Sequence, residues 1–158
     1  MKTNIGIDDK NRAAVVEILN QTLSDLYLLY TKTRNFHWNV VGPRFNDLHK
    51  FFEAQYEQLN EAIDDVAERA RALGGRSFGS MTEFLKTSKL SEAPGKSLSE
   101  DKMLAALLAD HETVIRSLRE AVDETGDEHN DQGTADFLTG LMEAHEKMAW
   151  MLRSFLEK

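Results

Sequence analysis

The 158-residue chain contains no cysteine, two prolines and nine glycines. Without cysteine there is no disulfide scaffold, zinc ribbon, thiolate cluster or cysteine nucleophile. With so few helix breakers, long helices are permitted. No run approaches the roughly 18 consecutive apolar residues that a membrane span needs. Residues 1–6 (MKTNIG) carry no apolar h-region, so the expectation is a cytosolic chain without a secretory signal. Positive charge is scarce as well: 19 Lys and Arg face 27 Asp and Glu, a net charge of −8. Such a chain is a poor generic ligand for DNA or an anionic membrane. What remains, at 41% hydrophobic residues, is too apolar for disorder and suits one domain over residues 1–158.

The apolar residues fall at helical spacing. From about Asp9 to Phe36, Val15, Ile18, Leu19, Leu23, Leu26, Tyr27 and Tyr30 fit a period of 3.6 and not of 2. Residues 1–8 are short and polar and are expected to be loose. Val40-Val41-Gly42-Pro43 interrupts the pattern, because the residue before proline avoids the helical region. A second helix is predicted from Phe45 to Leu73, stopped by Gly74-Gly75. Residues 74–98 read as a long crossover with one short helix around Met81, Phe84 and Leu85. A connection of that length joins parallel helices of a bundle. Ser97-Leu98-Ser99-Glu100 reads as a capping box opening a third helix, which carries Met103, Leu104, Leu107, Leu108, Val114, Ile115, Leu118 and Val122. Residues 126–133 are expected to be an acidic loop. The fourth helix carries Phe137, Leu138, Leu141, Met148, Met151, Leu152 and Phe155. The fold class is therefore all-α, a four-helix bundle with a long crossover containing a short helix.

The chemistry-bearing residues are His37, His49, Glu53, Asp64 and Glu68. His49 and Glu53 are four apart, as are Asp64 and Glu68, so each pair shares a helix face. At 100° per residue, all four of these second-helix residues lie within an arc of about 100°. Carboxylates with imidazoles are a donor set suited to iron or manganese. Glu53 and Asp64 nevertheless stand roughly 16 Å apart along the axis, whereas first-row metal–ligand bonds are about 2 Å. One helix cannot close the site. An antiparallel second copy can, with a two-fold axis near Gln58 and Leu59 and with Phe52, Tyr56, Asn60, Ile63 and Ala67 beside the stripe. Isologous contact then makes two equal sites. Glu-x-x-His, the bundle-internal di-iron pattern, is absent, as is HExxH. His111 reads as core or rim, His145 as a bundle-edge residue and His129 as a loop residue. The bland reading of the acid pairs is a solvated helix face.

Thr33-Arg34-Asn35-Phe36-His37-Trp38-Asn39-Val40, Gly42-Pro43, Leu48-His49, Asp64-Asp65-Val66-Ala67-Glu68-Arg69 and Leu73-Gly74 resemble the signature of the Dps family, the bacterial mini-ferritins. Residues 146–153 (EKMAWMLR) resemble its last helix. The resemblance covers nearly the whole chain. It implies a hollow homo-dodecamer that oxidises Fe(II), usually favouring hydrogen peroxide over oxygen, and stores ferric mineral against oxidative stress. It implies that His37, His49 and Glu53 ligate iron from one subunit and that Asp64 and Glu68 do so from its two-fold mate. Trp38 is then the aromatic neighbour of the site, or a packing residue. The family often has Asp where this chain has Glu53. The resemblance also implies acid-lined pores at three-fold axes, with Asp127, Asp131 and Asp136 as the matching residues.

On this reading Fe(II) is drawn in by carboxylates, oxidised in pairs and nucleated as oxyhydroxide by interior acids. Two other readings compete. One is a DNA-compacting protein, a role some family members have. The relevant feature would be a lysine-rich tail, yet residues 1–12 hold Lys2, Lys10 and Arg12 against Asp8 and Asp9. The other is a purely structural bundle, in which His37 and His49 are replaceable without loss of any activity.

Overall fold

The computed structural model describes residues 3–95 and 97–157. Four long helices, α1 (Asp9–Asn39), α2 (Phe45–Ala72), α4 (Glu100–Asp123) and α5 (Gln132–Leu156), form the bundle, and a short helix, α3 (Met81–Thr87), interrupts the crossover. α1 packs mainly on α2, and α4 on α5; α1 meets α4 and α2 meets α5 across the core. No helix is long and apolar enough to cross a membrane among the described residues. The core is aliphatic, with Leu19, Leu26, Leu29, Leu48, Leu59, Leu104, Leu107, Leu138 and Leu152 fully buried. Burying one such side chain stabilises the fold by about 2 kcal/mol.

The helix ends follow local chemistry. Asp8 caps α1 by accepting from the Asn11 N–H at 2.8 Å, and Ile7 packs against the core. The segment expected to be loose is therefore tethered at its second half; Met1 and Lys2 lie outside the described residues. α1 runs past Phe36 to Asn39, and this brings His37 into its last turn. Ser80 and Glu83 form a capping box on α3. The expected capping box at Ser97 and Glu100 does not form. Ser99 is the N-cap of α4 without a side-chain bond. Glu100 instead reaches across to the start of α2, accepting from the Arg44 N–H and Nε, each at 3.0 Å.

The crossover is ordered by buried polar groups on α1. Asn20 accepts from the Phe78 N–H and donates to the Arg76 carbonyl. Asp25 accepts from the Ser88 hydroxyl and the Lys89 N–H. Phe84 stacks on Tyr27, ring centres 4.2 Å apart.

The acidic stretch is the largest departure from expectation. Residues 124–128 continue α4 as a π-helical turn, closed by the His129 N–H bonding the Glu124 carbonyl at 3.2 Å. Asp131 then caps α5, accepting from the Thr134 N–H at 2.9 Å. Only residues 129–131 lie outside helix between α4 and α5.

Candidate metal centre

His37 and His49 face each other across the α1–α2 junction. The ring planes stack at 19°, with centres 3.8 Å apart. His37 Nδ1 is 2.7 Å from the His49 carbonyl, and His49 Nδ1 is 2.9 Å from the His37 carbonyl. A carbonyl oxygen only accepts, so both Nδ1 atoms carry the proton and donate. In the neutral ring this leaves the lone pair on Nε2, which is the tautomer a metal ligand requires. The geometry has a local cause. The last intrahelical bond of α1 runs from the Val40 N–H to the Phe36 carbonyl. The His37 carbonyl lies beyond it, an orphan acceptor at a helix C-terminus, and the His49 ring satisfies it.

Glu53 stands one turn after His49, half-buried, and accepts from the Tyr56 hydroxyl at 3.2 Å. The Tyr56 ring lies edge-on to His37, with ring centres 5.2 Å apart. Burial, and after it the neighbouring Glu53 carboxylate, push the Tyr56 phenol above its ordinary pKa. Phe45 stacks on the outer face of His49. Trp38 is 63% exposed, with the Arg34 guanidinium 4.8 Å from its ring centre.

Asp64 and Glu68 are exposed further along α2. Among the described residues, the one group of three or more His, Asp and Glu whose ligand atoms all lie within 4.8 Å is Glu124, Glu128 and His129. Within one chain, the structure brings His37 and His49 together and leaves Asp64 and Glu68 facing outward. Phe52 and Leu59, expected on or near the exposed stripe, are instead fully buried in the chain's own core. Tyr56, Gln58 and Asn60 remain accessible on that side.

The three pore candidates separate. Asp127 and Asp136 are exposed. Asp131 is 3% exposed and committed to structure, bonded to the Thr134 N–H and hydroxyl and to Arg69. It is not a free carboxylate for a channel. His145 is no edge residue either. It is fully buried, and its Nδ1 lies 3.0 Å from that of the equally buried His111.

Residues 16–158 match the ferritin-like domain family. A low temperature-induced protein of Nostoc is 55% identical over 99% of this chain and 87% of its own length. DNA protection during starvation protein 2 of Bacillus anthracis is 39% identical over 91% of this chain and 97% of its own. The chain belongs to the Dps family of ferritin-like proteins. The Dps structure from Vibrio cholerae superposes with a TM-score of 0.92 at 30% identity, covering 99% of this chain and 98% of that one. That relative is described as a member of the ferritin-like diiron-carboxylate proteins. The Dps signature read in the sequence thus coincides with the α1–α2 junction, where the two imidazoles meet.

The π turn is what sequence reasoning missed. Glu124 and Glu128 are four apart, a visible signal, but with residues 126–133 read as loop, His129 had no defined relation to them. In an α-helix a residue five positions on lies about 140° round the axis. The wider π turn, with its i to i+5 bond, brings His129 back over Glu124.

Proposed function

We propose that this Dps chain oxidises Fe(II) at sites shared between two subunits and stores the ferric product in a hollow homo-dodecamer in the cytosol. His37, His49 and Glu53 of one subunit hold the iron together with Asp64 and Glu68 of the partner subunit. The observation that carries the reading is the crossed imidazole pair. Two rings held with Nδ1 protonated can present two Nε2 lone pairs, with Glu53 one helical turn after His49 and the remaining acids of α2 exposed. Ferritin-like kinship with a diiron-carboxylate protein supports it.

Fe(II) is the substrate. Two ferrous ions each give up one electron. Hydrogen peroxide accepts both, its O–O bond breaks, and with two protons two waters leave. Supplying the electrons in pairs avoids one-electron cleavage to hydroxyl radical. Carboxylates favour the harder Fe(III) product. Tyr56 holds the Glu53 carboxylate by its hydroxyl. Asp127 and Asp136, both exposed, are the acids proposed to attract Fe(II) at the pores.

The test is ferrous oxidation followed by ferric absorbance, with peroxide and oxygen compared side by side. The expected outcome is protein-dependent oxidation, faster with peroxide, consuming two Fe(II) per peroxide, by a particle far larger than the 17.9 kDa chain. Oxidation no faster than in buffer, or a monomer at micromolar concentration, would overturn the reading.

A further inference from the structure

The π turn at the end of α4 holds a second group of potential ligands, remote in sequence from the imidazole pair. Glu124, Glu128 and His129 place their ligand atoms within 4.8 Å of one another. His129 Nε2 stands 3.5 Å from Glu124 Oε1. Two ligands bonded at about 2.1 Å and subtending a tetrahedral angle stand about 3.4 Å apart. The spacing is thus that of two donors on one ion.

The imidazole gives the independent sign. Its side chain is only 16% exposed, yet neither ring nitrogen has a hydrogen-bond partner. Buried polar atoms are rarely left so, because each unmade bond costs about 1–3 kcal/mol. A simple ion pair would give Nε2–H a hydrogen bond to Glu124; the contact lacks that geometry. Both carboxylates are exposed, so an ion can reach the group from solvent. π turns interrupt helices at functional sites with high frequency, and here the turn is what brings residues 124, 128 and 129 to one side.

We infer that Glu124, Glu128 and His129 form a binding site for a first-row divalent cation of the Fe(II) or Zn(II) class. Two hard oxygens with one borderline nitrogen select such ions over Mg²⁺ and Ca²⁺, which prefer oxygen alone. The site lies on the α4–α5 connection and does not depend on the oxidation site proposed above. An ion there fixes the π turn by joining its first residue to the residue that closes it.

Cobalt(II), a spectroscopic probe of first-row sites, supplies the test. The intact chain and its His129→Ala variant are titrated with it, each also in the His49→Ala background. In both backgrounds His129→Ala is expected to abolish one bound cobalt per chain, or to weaken it at least about tenfold. Glu124→Gln and Glu128→Gln are expected to weaken the same ion. Millimolar Mg²⁺ is expected to leave it in place. All three residues are partly or fully exposed, so circular dichroism of the variants should match that of the parent. Three results would each overturn the inference: cobalt binding unchanged by His129→Ala, cobalt displaced by Mg²⁺, or a cobalt lost on Asp127→Asn but kept in His129→Ala. Failure of iron oxidation with the cobalt site intact would sink the proposed function and leave this one standing.

Discussion

Each of His37 and His49 takes its tautomer from the other's backbone carbonyl, so removing one ring frees the proton position of the second. His49→Ala is therefore expected to lower iron oxidation by about 10–100-fold, through loss of a ligand and of the His37 tautomer together. Asp64→Ala is expected to do the same from the other side of a shared site. A shell assembled from both variants should recover part of the activity, because a mixed pair carries one site with both lesions and one with neither. No recovery after verified subunit exchange would refute sharing. The common face of His49, Glu53, Asp64 and Glu68 was legible in sequence because spacing fixes helix faces. The crossed bonds were not, since they join side chains to backbone carbonyls across a helix junction. His145, expected at the bundle edge, is buried against His111 for a related reason: a histidine's depth depends on how four helices rotate. Burial pushes the His145 imidazole down to about 4, and burial followed by the neighbouring His145 lowers His111 well below its ordinary value. Between pH 6.5 and about 4 the unfolded chain takes up protons that the folded chain refuses. Stability is complete above pH 6.5 and falls as pH drops through that window. Thermal unfolding at pH 7.5 and 5 should show a smaller loss in a His111→Leu/His145→Leu variant than in the parent. Equal losses would mean the pair is not the acid-sensitive element.

At the scale of elements, periodicity located all four long helices, and errors gathered at their ends. Ends are set by contacts that the local sequence does not contain. Glu100 is the clearest case. Read locally it belongs to a capping box; in the fold it ties the start of α4 to Arg44 at the start of α2. Asp101 adds a second bond to the same guanidinium. Gly42 sits beneath this tie with φ of +139°, and a Cβ there would lie 2.6 Å from Glu100 Oε1. Gly42→Ala is expected to destabilise the chain by about 1–3 kcal/mol, from backbone strain and displacement of the Glu100 carboxylate. A double-mutant cycle with Glu100→Ala separates the two causes in denaturant melts. The cost should shrink in the Glu100→Ala background but not vanish. Additivity would show that the carboxylate is not displaced. The π turn failed in sequence reading for the converse reason. Glycine and acid density suggested a loop, while the backbone found its bonds by widening one turn, with the Gln132 amide donating to the Gly126 carbonyl.

At the scale of the whole molecule, charge decides which partners can approach. Each chain carries −8, so a proposed twelve-subunit shell carries −96. A positive tail would have to overcome that. The sequence offers Lys2, Lys10 and Arg12 near its start, and the fold removes one of them. Arg12 is 9% exposed, its Nη1 donating to the Leu73 carbonyl at 2.9 Å and its Nε to the Ile7 carbonyl, with Asp9 paired to its remaining nitrogen. The guanidinium clamps the start of α1 to the end of α2 and is buried there, out of reach of a phosphate backbone. Lys10 is exposed but flanked by Asp8 and Asp9, and Lys2 lies outside the described residues. Useful DNA affinity needs several Lys or Arg contacts to phosphate, each releasing counterions. We therefore expect no retardation of duplex DNA in a gel shift at about 0.1 M salt. Divalent cations can bridge two anions, and the Glu124–Glu128–His129 group is a candidate bridgehead, so a chelator belongs in the buffer. Retardation only without chelator would place DNA contact on bound cations. Retardation that persists with chelator and weakens steeply with salt would instead reveal a basic surface created by assembly, and would refute the charge argument.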